Sequence, residues 1–451
     1  MSQDRQQLLV DSLRRLVRRG AVGNLERILA KARSEDVALA LSELMDREAR
    51  SIFGLLLNDP ARAAEVAGEY EHARLPSLWQ GLTAAELKPV FEELASDDAA
   101  DILQRLDEDL RVSILNLLED AESEDLEELM QYGEDTAGGI MSTDFFSLDK
   151  ELTAREAIVG LQDNPEAEGV FYLYCVNEED TLVGVVSLRQ LLMVRPSTQL
   201  KNFMNSDVIS VPLTEDQEEV ARIVARYNLL GVPVVDEFNK LVGIVTVDDV
   251  IDVLRDEATE DMLLMAGVAD EDIVNATTSH AVKTRLPWLL AAVGGGIGAA
   301  ALIGRFEHQL EEAAILAAFI PIVMGLGGNV GVQASTIVVR GMAMGQLDPT
   351  KFASALFSET KVVAIIATVC ASVAAAASMV MGDFDPNLAG AVGSSLVVVM
   401  TFGALLGTAV PMLSHRFGID PAVATGPILT TSIDLVGVLI YFLISAAWLG
   451  L

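Results

Sequence analysis

The run from Gly426 to Leu449 constrains this chain more than any other stretch. It is apolar and long enough to cross a bilayer, which takes about 20 residues at about 1.5 Å rise each. One acid, Asp434, sits near its middle. A carboxylate at that depth costs about 2.5–3.5 kcal/mol on insertion scales, so it is rarely kept without a partner. No Lys, Arg or His lies in the segment to neutralise it. Its partner is a charge on another helix or a passing cation. The alternative is a protonated Asp hydrogen-bonded within a bundle.

Charge divides the 451 residues into two halves. From Lys283 onward there are 9 acids and 7 bases, so residues 1–282 carry −33 of the net −35. That acidic half repels nucleic acid phosphates and attracts cations. Cys175 and Cys370 are too few and too far apart in sequence for a disulfide framework or a metal knuckle. The first 30 residues are charged and lack an apolar core, so no signal peptide is expected.

Residues 1–135 read as short amphipathic helices recurring about every 13 residues: Thr83–Leu94, Ser96–Leu106, Asp109–Leu118 and Ser123–Met130. Ser96 and Ser123 stand where N-caps belong, and acids crowd the first turns. Such units bury their apolar faces by stacking. After Gly133–Met141 the pattern alternates strand and helix, and it does so twice. Phe171–Val176 with Leu182–Leu191 matches Val232–Asp236 with Leu241–Val250, each preceded by a helix, Thr153–Leu161 or Asp216–Tyr227. Met141-Ser142 and Met204-Asn205 open the two units.

This tandem resembles a pair of CBS domains. The resemblance implies an adenosine nucleotide, ATP included, as a ligand, with Tyr172, Arg189, Thr246 and Asp249 as contacts. Thr246-x-x-Asp249 puts a hydroxyl and a carboxylate at a helix start, where phosphate and ribose can be held. The first copy has Ser187 followed by Gln190 instead, which removes a charged ribose contact. A purely structural pair is the alternative.

Val250–Ala266 reads as a long acidic helix leading through Gly267–Ser279 into the apolar half. Five spans follow, at about 286–304, 313–339, 362–381, 388–413 and 421–449, of which the second and fifth are long for a straight crossing. Lys283, Arg285, Arg340, Lys351, Lys361 and Arg416 fall on one side and Arg305 on the other. The positive-inside rule puts the N-terminus in the cytoplasm and the C-terminus outside.

The second span holds Pro321-Ile-Val-Met-Gly-Leu-Gly-Gly-Asn-Val-Gly-Val-Gln333. Glycines permit close helix packing or an unwound backbone. Gly325, Asn329 and Gln333 share a helical face. Exposed carbonyls, an amide and Asp434 are hard oxygen donors suited to Mg²⁺ with most of its waters. A glycine packing face is the competing reading.

The whole chain resembles the MgtE magnesium transporter and channel family. The match rests on Gly133–Met141, Val247–Asp261, Pro321–Gln333, Asp420-Pro421-Ala422, Gly426-Pro427 and Ser432–Leu435. The resemblance implies an acidic helical N-domain (1–135), an α/β tandem CBS pair (136–200 and 201–256), a plug helix (257–282) and a five-helix transmembrane pore domain (283–451). It also implies a multi-pass homodimer in membrane lipid. Asp434, with Asn329, Gly325, Gln333 and Thr430, would hold the transported Mg²⁺. Regulatory Mg²⁺ would bind Asp216, Glu218, Asp249, Asp252, Glu257, Glu260, Asp261 and Asp420, with Asp97 and Asp101 in the N-domain. Asn228 stands where relatives can carry an acid. Divalent ions would screen the excess negative charge, compact the cytosolic half and shut the pore.

Other readings are weaker. An anion carrier conflicts with Asp434 as the intramembrane charge, and a transition metal wants His or Cys. A membrane-anchored enzyme lacks a nucleophile–base pair, since His72, His280, His308 and His415 are scattered.

Overall fold

The computed structural model describes residues 3–163, 171–268, 278–382 and 384–450. Two compact units result, Met1–Leu254 and Arg255–Leu451. Part of the expected connection, residues 269–277, lies outside the described residues.

In the first unit, short helices run from Gln3–Arg19 to Asp120–Leu129. Alternate helices pack on one another: Ser34–Ser42 on Pro60–Gly68, then Ala84–Phe91, then Glu108–Leu115. Trp79 is buried between Phe53 and Phe91, with ring centroids 6.0 and 5.7 Å away. These aromatics hold the stack through a large buried apolar area. At Ala84–Phe91 the expected start is right, with Thr83 and Glu86 forming a capping box.

The two serine caps are not. Ser96 is the first helical residue of Ser96–Arg105 and makes no side-chain cap there. Its hydroxyl instead accepts from the Thr143 N–H at 2.8 Å, and the Asp144 carboxylate accepts the Ser96 N–H at 3.1 Å. A distant loop therefore supplies the cap. Ser123 lies inside Asp120–Leu129, because Asp120 and Glu122 suit a first turn equally well.

Two three-stranded sheets follow. Strands β1 (Ser147–Asp149), β2 (Tyr172–Val176) and β3 (Leu182–Ser187) form one. Strands β4 (Val211–Pro212), β5 (Gly231–Val235) and β6 (Leu241–Thr246) form the other. In each, the first pair is parallel and the second antiparallel. Asp180 and Asn239 turn the hairpins at φ 60°, a conformation Asp and Asn tolerate. The segments that open the repeats are exchanged: Ser142 bridges Ile244 on β6, and Asn205 bridges Val185 on β3. The helical stack and the second repeat share one hydrophobic core that includes Leu129, Met141, Val220 and Val245.

In the second unit, five helices are long and apolar enough to cross a membrane: Thr278–Arg305, Leu316–Ala343, Pro349–Met381, Pro386–Arg416 and Ile428–Leu449. The third begins about ten residues before its expected start. The fifth begins after a short 3-10 turn, Val423–Thr425, since Gly426 and Pro427 break the run that starts at residue 421. The second is an unbroken α-helix through all of its glycines, so no carbonyl is freed there by unwinding. Two of them, Gly327 and Gly331, serve packing instead. A Cβ on Gly407 would lie 2.2 Å from the Gly331 carbonyl oxygen, and one on Gly403 would lie 2.5 Å from that of Gly327. The second and fourth spans thus touch backbone to backbone, as small residues allow in lipid.

Candidate cation sites

Asp434 sits about two turns into the helix Pro427–Leu449. Its neighbours fix its direction. Ile433 packs against Gly327 and Gly331 of the second span, and Leu435 against Gly298 of the first. Asp434 lies between these two packed faces and is half-buried. It makes no ion pair or hydrogen bond with another described residue.

Gly325, Asn329 and Gln333 are all exposed on the second span. A Cβ on Gly325 would meet nothing within 4 Å, unlike one on Gly327 or Gly331. The glycine-rich run therefore has two faces. One is the packing face, and the other is an open stripe of amides in an apolar helix. Thr430 is half-buried one turn before Asp434.

The last turn of the helix Val247–Met265 reaches the start of the fifth span. Leu264, Val339 and Ala422 form a small core, with Met265 and Val423 against it. A Cβ on Gly426 would lie 3.2 Å from the Met265 carbonyl oxygen. Asp420 accepts the Ala422 N–H at 2.7 Å, fixing this turn. Glu257, Glu260 and Asp261 precede the contact on the same helix; Glu260 is exposed and the other two are half-buried.

A second acidic centre lies in the first unit. Burial pushes the Asp98 carboxyl up to about 6, helped by repulsion from Glu69, Asp248 and Asp252. Burial also lifts Asp101 to about 6, against the opposing pull of His72 and Arg105. Asp249 rises to about 6 by burial and the charge of Asp248, although bonds from Thr246 hold it down. His72 Nε2 is 3.9 Å from the Asp98 carboxylate, and burial lowers its pKa. Asp98 keeps 38% of its side-chain surface, so water screens part of this field.

The expected ligands are sorted by this arrangement. Asp101, Asp249 and Asp252 join the centre. Asp98, next to the expected Asp97, faces Asp248 and Asp252. Asp98, Glu69, Asp248 and His72 were not foreseen, because two helices far apart in sequence bring them together. Asp216 caps a helix, accepting the Glu218 N–H at 2.8 Å, and Glu218 pairs with Arg222 at 3.3 Å. Asn228 takes the left-handed conformation (φ 53°) at a helix end, a place Asn suits better than Glu. Among the described residues, no three His, Cys, Asp or Glu side chains converge into a cage for a metal.

The proposed nucleotide contacts are partly engaged with each other. The Thr246 N–H donates to Asp249 at 3.2 Å and its hydroxyl at 2.5 Å. Ser187 and Gln190 form the equivalent capping box, so Gln190 replaces an acid without loss of the turn. Tyr172 pairs with Ser187 across β2 and β3, and Arg189 is exposed nearby in the chain.

Comparison with known proteins agrees with this organisation. The MgtE intracellular N domain model matches residues 32–135, the CBS domain model residues 137–197 and 200–256, and the MgtE divalent cation transporter model residues 320–444. The magnesium transporter MgtE of Bacillus subtilis is 34% identical over 96% of this chain and 96% of its own. That of Thermus thermophilus is 34% identical over 96% of this chain and 97% of its own. The crystal structure of the cytosolic domain of the Mg²⁺ channel MgtE in complex with ATP is 35% identical, covering 54% of this chain and 99% of that chain, with a TM-score of 0.52. The chain, with its stacked helical domain, its exchanged CBS pair and its five apolar helices, belongs to the MgtE family of magnesium transporters.

Proposed function

We propose that the chain conducts Mg²⁺ selectively and is closed by cytosolic Mg²⁺. The carrying observation is Asp434: a half-buried carboxylate in an apolar helix, without a described partner, in a unit that also carries an open amide stripe. Such a stripe is unfavourable against lipid. A second copy facing Gly325, Asn329, Gln333 and Thr430 would cover it and bring two Asp434 carboxylates to one dication. A hydrated Mg²⁺ suits this oxygen-rich surround. The distribution of Lys and Arg favours a cytoplasmic N-terminus and an outside C-terminus.

Closure would run through the helix Val247–Met265. Mg²⁺ drawn to Asp98, Asp101, Asp248, Asp249 and Asp252 would offset their mutual repulsion and draw that helix down. Glu257, Glu260, Asp261 and Asp420 would extend the same control to the Gly426 turn. Adenine nucleotide at the CBS pair, by likeness to the ATP-bound relative, would act on the same helix, whose first residues follow Thr246.

Mg²⁺ flux into vesicles holding the full chain, with and without an imposed potential, tests the reading. Uptake that follows the potential and stops with internal Mg²⁺ is expected. Uptake indifferent to internal Mg²⁺ would remove the sensor, and no uptake would remove the channel.

A further inference from the structure

The charge of this chain is inverted at one place. Residues 1–33 hold 8 bases and 3 acids, a net +5 in a protein of −35. Most of this segment precedes the part matched by the family's N-domain model, which begins at residue 32. The helices Gln3–Arg19 and Val22–Leu29, with the start of Ser34–Ser42, border an open cavity of about 970 Å³. Arg5, Arg27, Lys31 and Arg33 line it, and Asp36 is its one carboxylate. Leu9, Leu16 and Ile28 give it an apolar wall.

None of these four bases forms an ion pair with another described residue, in a chain with 66 acids against 31 bases. Other bases of the same domain do pair: Arg18 reaches Glu48 at 2.7 Å, and Arg74 reaches Asp46 at 3.5 Å. Glu65 accepts the Ser34 hydroxyl at 2.5 Å. Four unpaired cations around one hollow repel each other, and an anion relieves that repulsion. Arginines at the rim suit the two-pronged geometry of phosphate oxygens. The volume exceeds an inorganic ion and lies at the upper end of small-molecule sites, about 300–1,000 Å³.

We propose that this cavity binds a phosphate-bearing anion, its charged group held by Arg5, Arg27, Lys31 and Arg33 and its body laid against Leu9, Leu16 and Ile28. The phosphate is a soluble polyphosphate or the headgroup of an anionic lipid.

The full chain in a nonionic detergent, free of Mg²⁺, separates these sources. Calorimetric titration uses inorganic tripolyphosphate in one arm and short-chain dioctanoyl phosphatidic acid in the other. Saturable binding of either probe is expected. Tripolyphosphate alone identifies a soluble ligand, and phosphatidic acid alone a lipid. The variant Arg27→Gln/Lys31→Gln/Arg33→Gln should weaken binding at least about tenfold. All three side chains are exposed, so its thermal midpoint should match that of the unaltered chain. Asp36→Asn removes the opposing carboxylate and should tighten binding about two- to threefold. It keeps the test decisive if the triple variant does not fold. No binding of either probe at millimolar concentration would overturn the proposal. So would affinities unmoved by the triple variant, or by Asp36→Asn where the triple variant does not fold.

Discussion

Asp434 and Asn329 are polar residues in apolar helices, and glycines decide what surrounds them. Gly327 and Gly331 let Ile433 seat against the second span, and Gly298 receives Leu435. Those contacts leave Asp434 between the packed faces. Asp434→Ala should abolish Mg²⁺ uptake without changing the thermal midpoint of the protein, and Asp434→Asn should cut the flux at least about tenfold. Unchanged flux in the Asn variant would show that its charge does not select the ion. The glycines themselves separate by contact. Gly407→Ala places a methyl 2.2 Å from a backbone oxygen, and overpacking of this kind costs about 1–3 kcal/mol. Its melting temperature should fall. Gly325→Ala meets open space, so its melting temperature should hold while Mg²⁺ conduction changes. Equal melting temperatures for the two variants would contradict the backbone contact between the second and fourth spans.

At the scale of elements, the helix Val247–Met265 carries the argument. It begins at the Thr246–Asp249 capping box and ends against Ala422 and Gly426. The expected boundary at residue 256 falls within this one continuous helix. Neutralising Glu257, Glu260 and Asp261 together removes charge without touching the apolar contact of Leu264. The pore should still conduct, but it should stay open at high cytosolic Mg²⁺, because ligands for the closing ion are lost. Repulsion between exposed charges fades beyond about 8–10 Å at physiological salt, so its relief is the smaller effect. Open probability recorded against cytosolic Mg²⁺ checks this, and an unchanged closing curve would reduce the helix to a linker.

For the molecule as a whole, the acidic charge ties stability to pH and to Mg²⁺. Asp98, Asp101 and Asp249 have carboxyls lifted to about 6 in the fold, against about 3.9 in an unfolded chain. An acid whose pKa is raised binds protons more tightly when folded. It therefore favours the fold at low pH, and that stability is lost as pH rises from about 4 to about 6. In EDTA the acidic half, residues 1–282, should become more sensitive to protease between about pH 5 and pH 7. Mg²⁺ at roughly millimolar levels should restore protection, and more so at pH 7, where the carboxylates are ionised. Equal digestion with EDTA and with Mg²⁺ at pH 7 would dismiss the acidic centre as a sensor.

The sequence by itself determined the elements and their order. Apolar length set five spans, period-two runs set the paired strands, and one lone acid stood out in an apolar run, because each signal is local to a few turns of chain. Asp101, Asp249 and Asp252 were named through the family resemblance, by their place in its motifs. What the tertiary structure decided was partnership. Asp98 faces Asp248 and Asp252, Asp144 rather than Ser96 caps a helix, and Met141 and Met204 each serve the other repeat. The second span keeps its helix, with Gly327 and Gly331 buried and Gly325 open. Each of these outcomes depends on which faces meet across long sequence separations, where helical phase and burial choose between chemically equal neighbours.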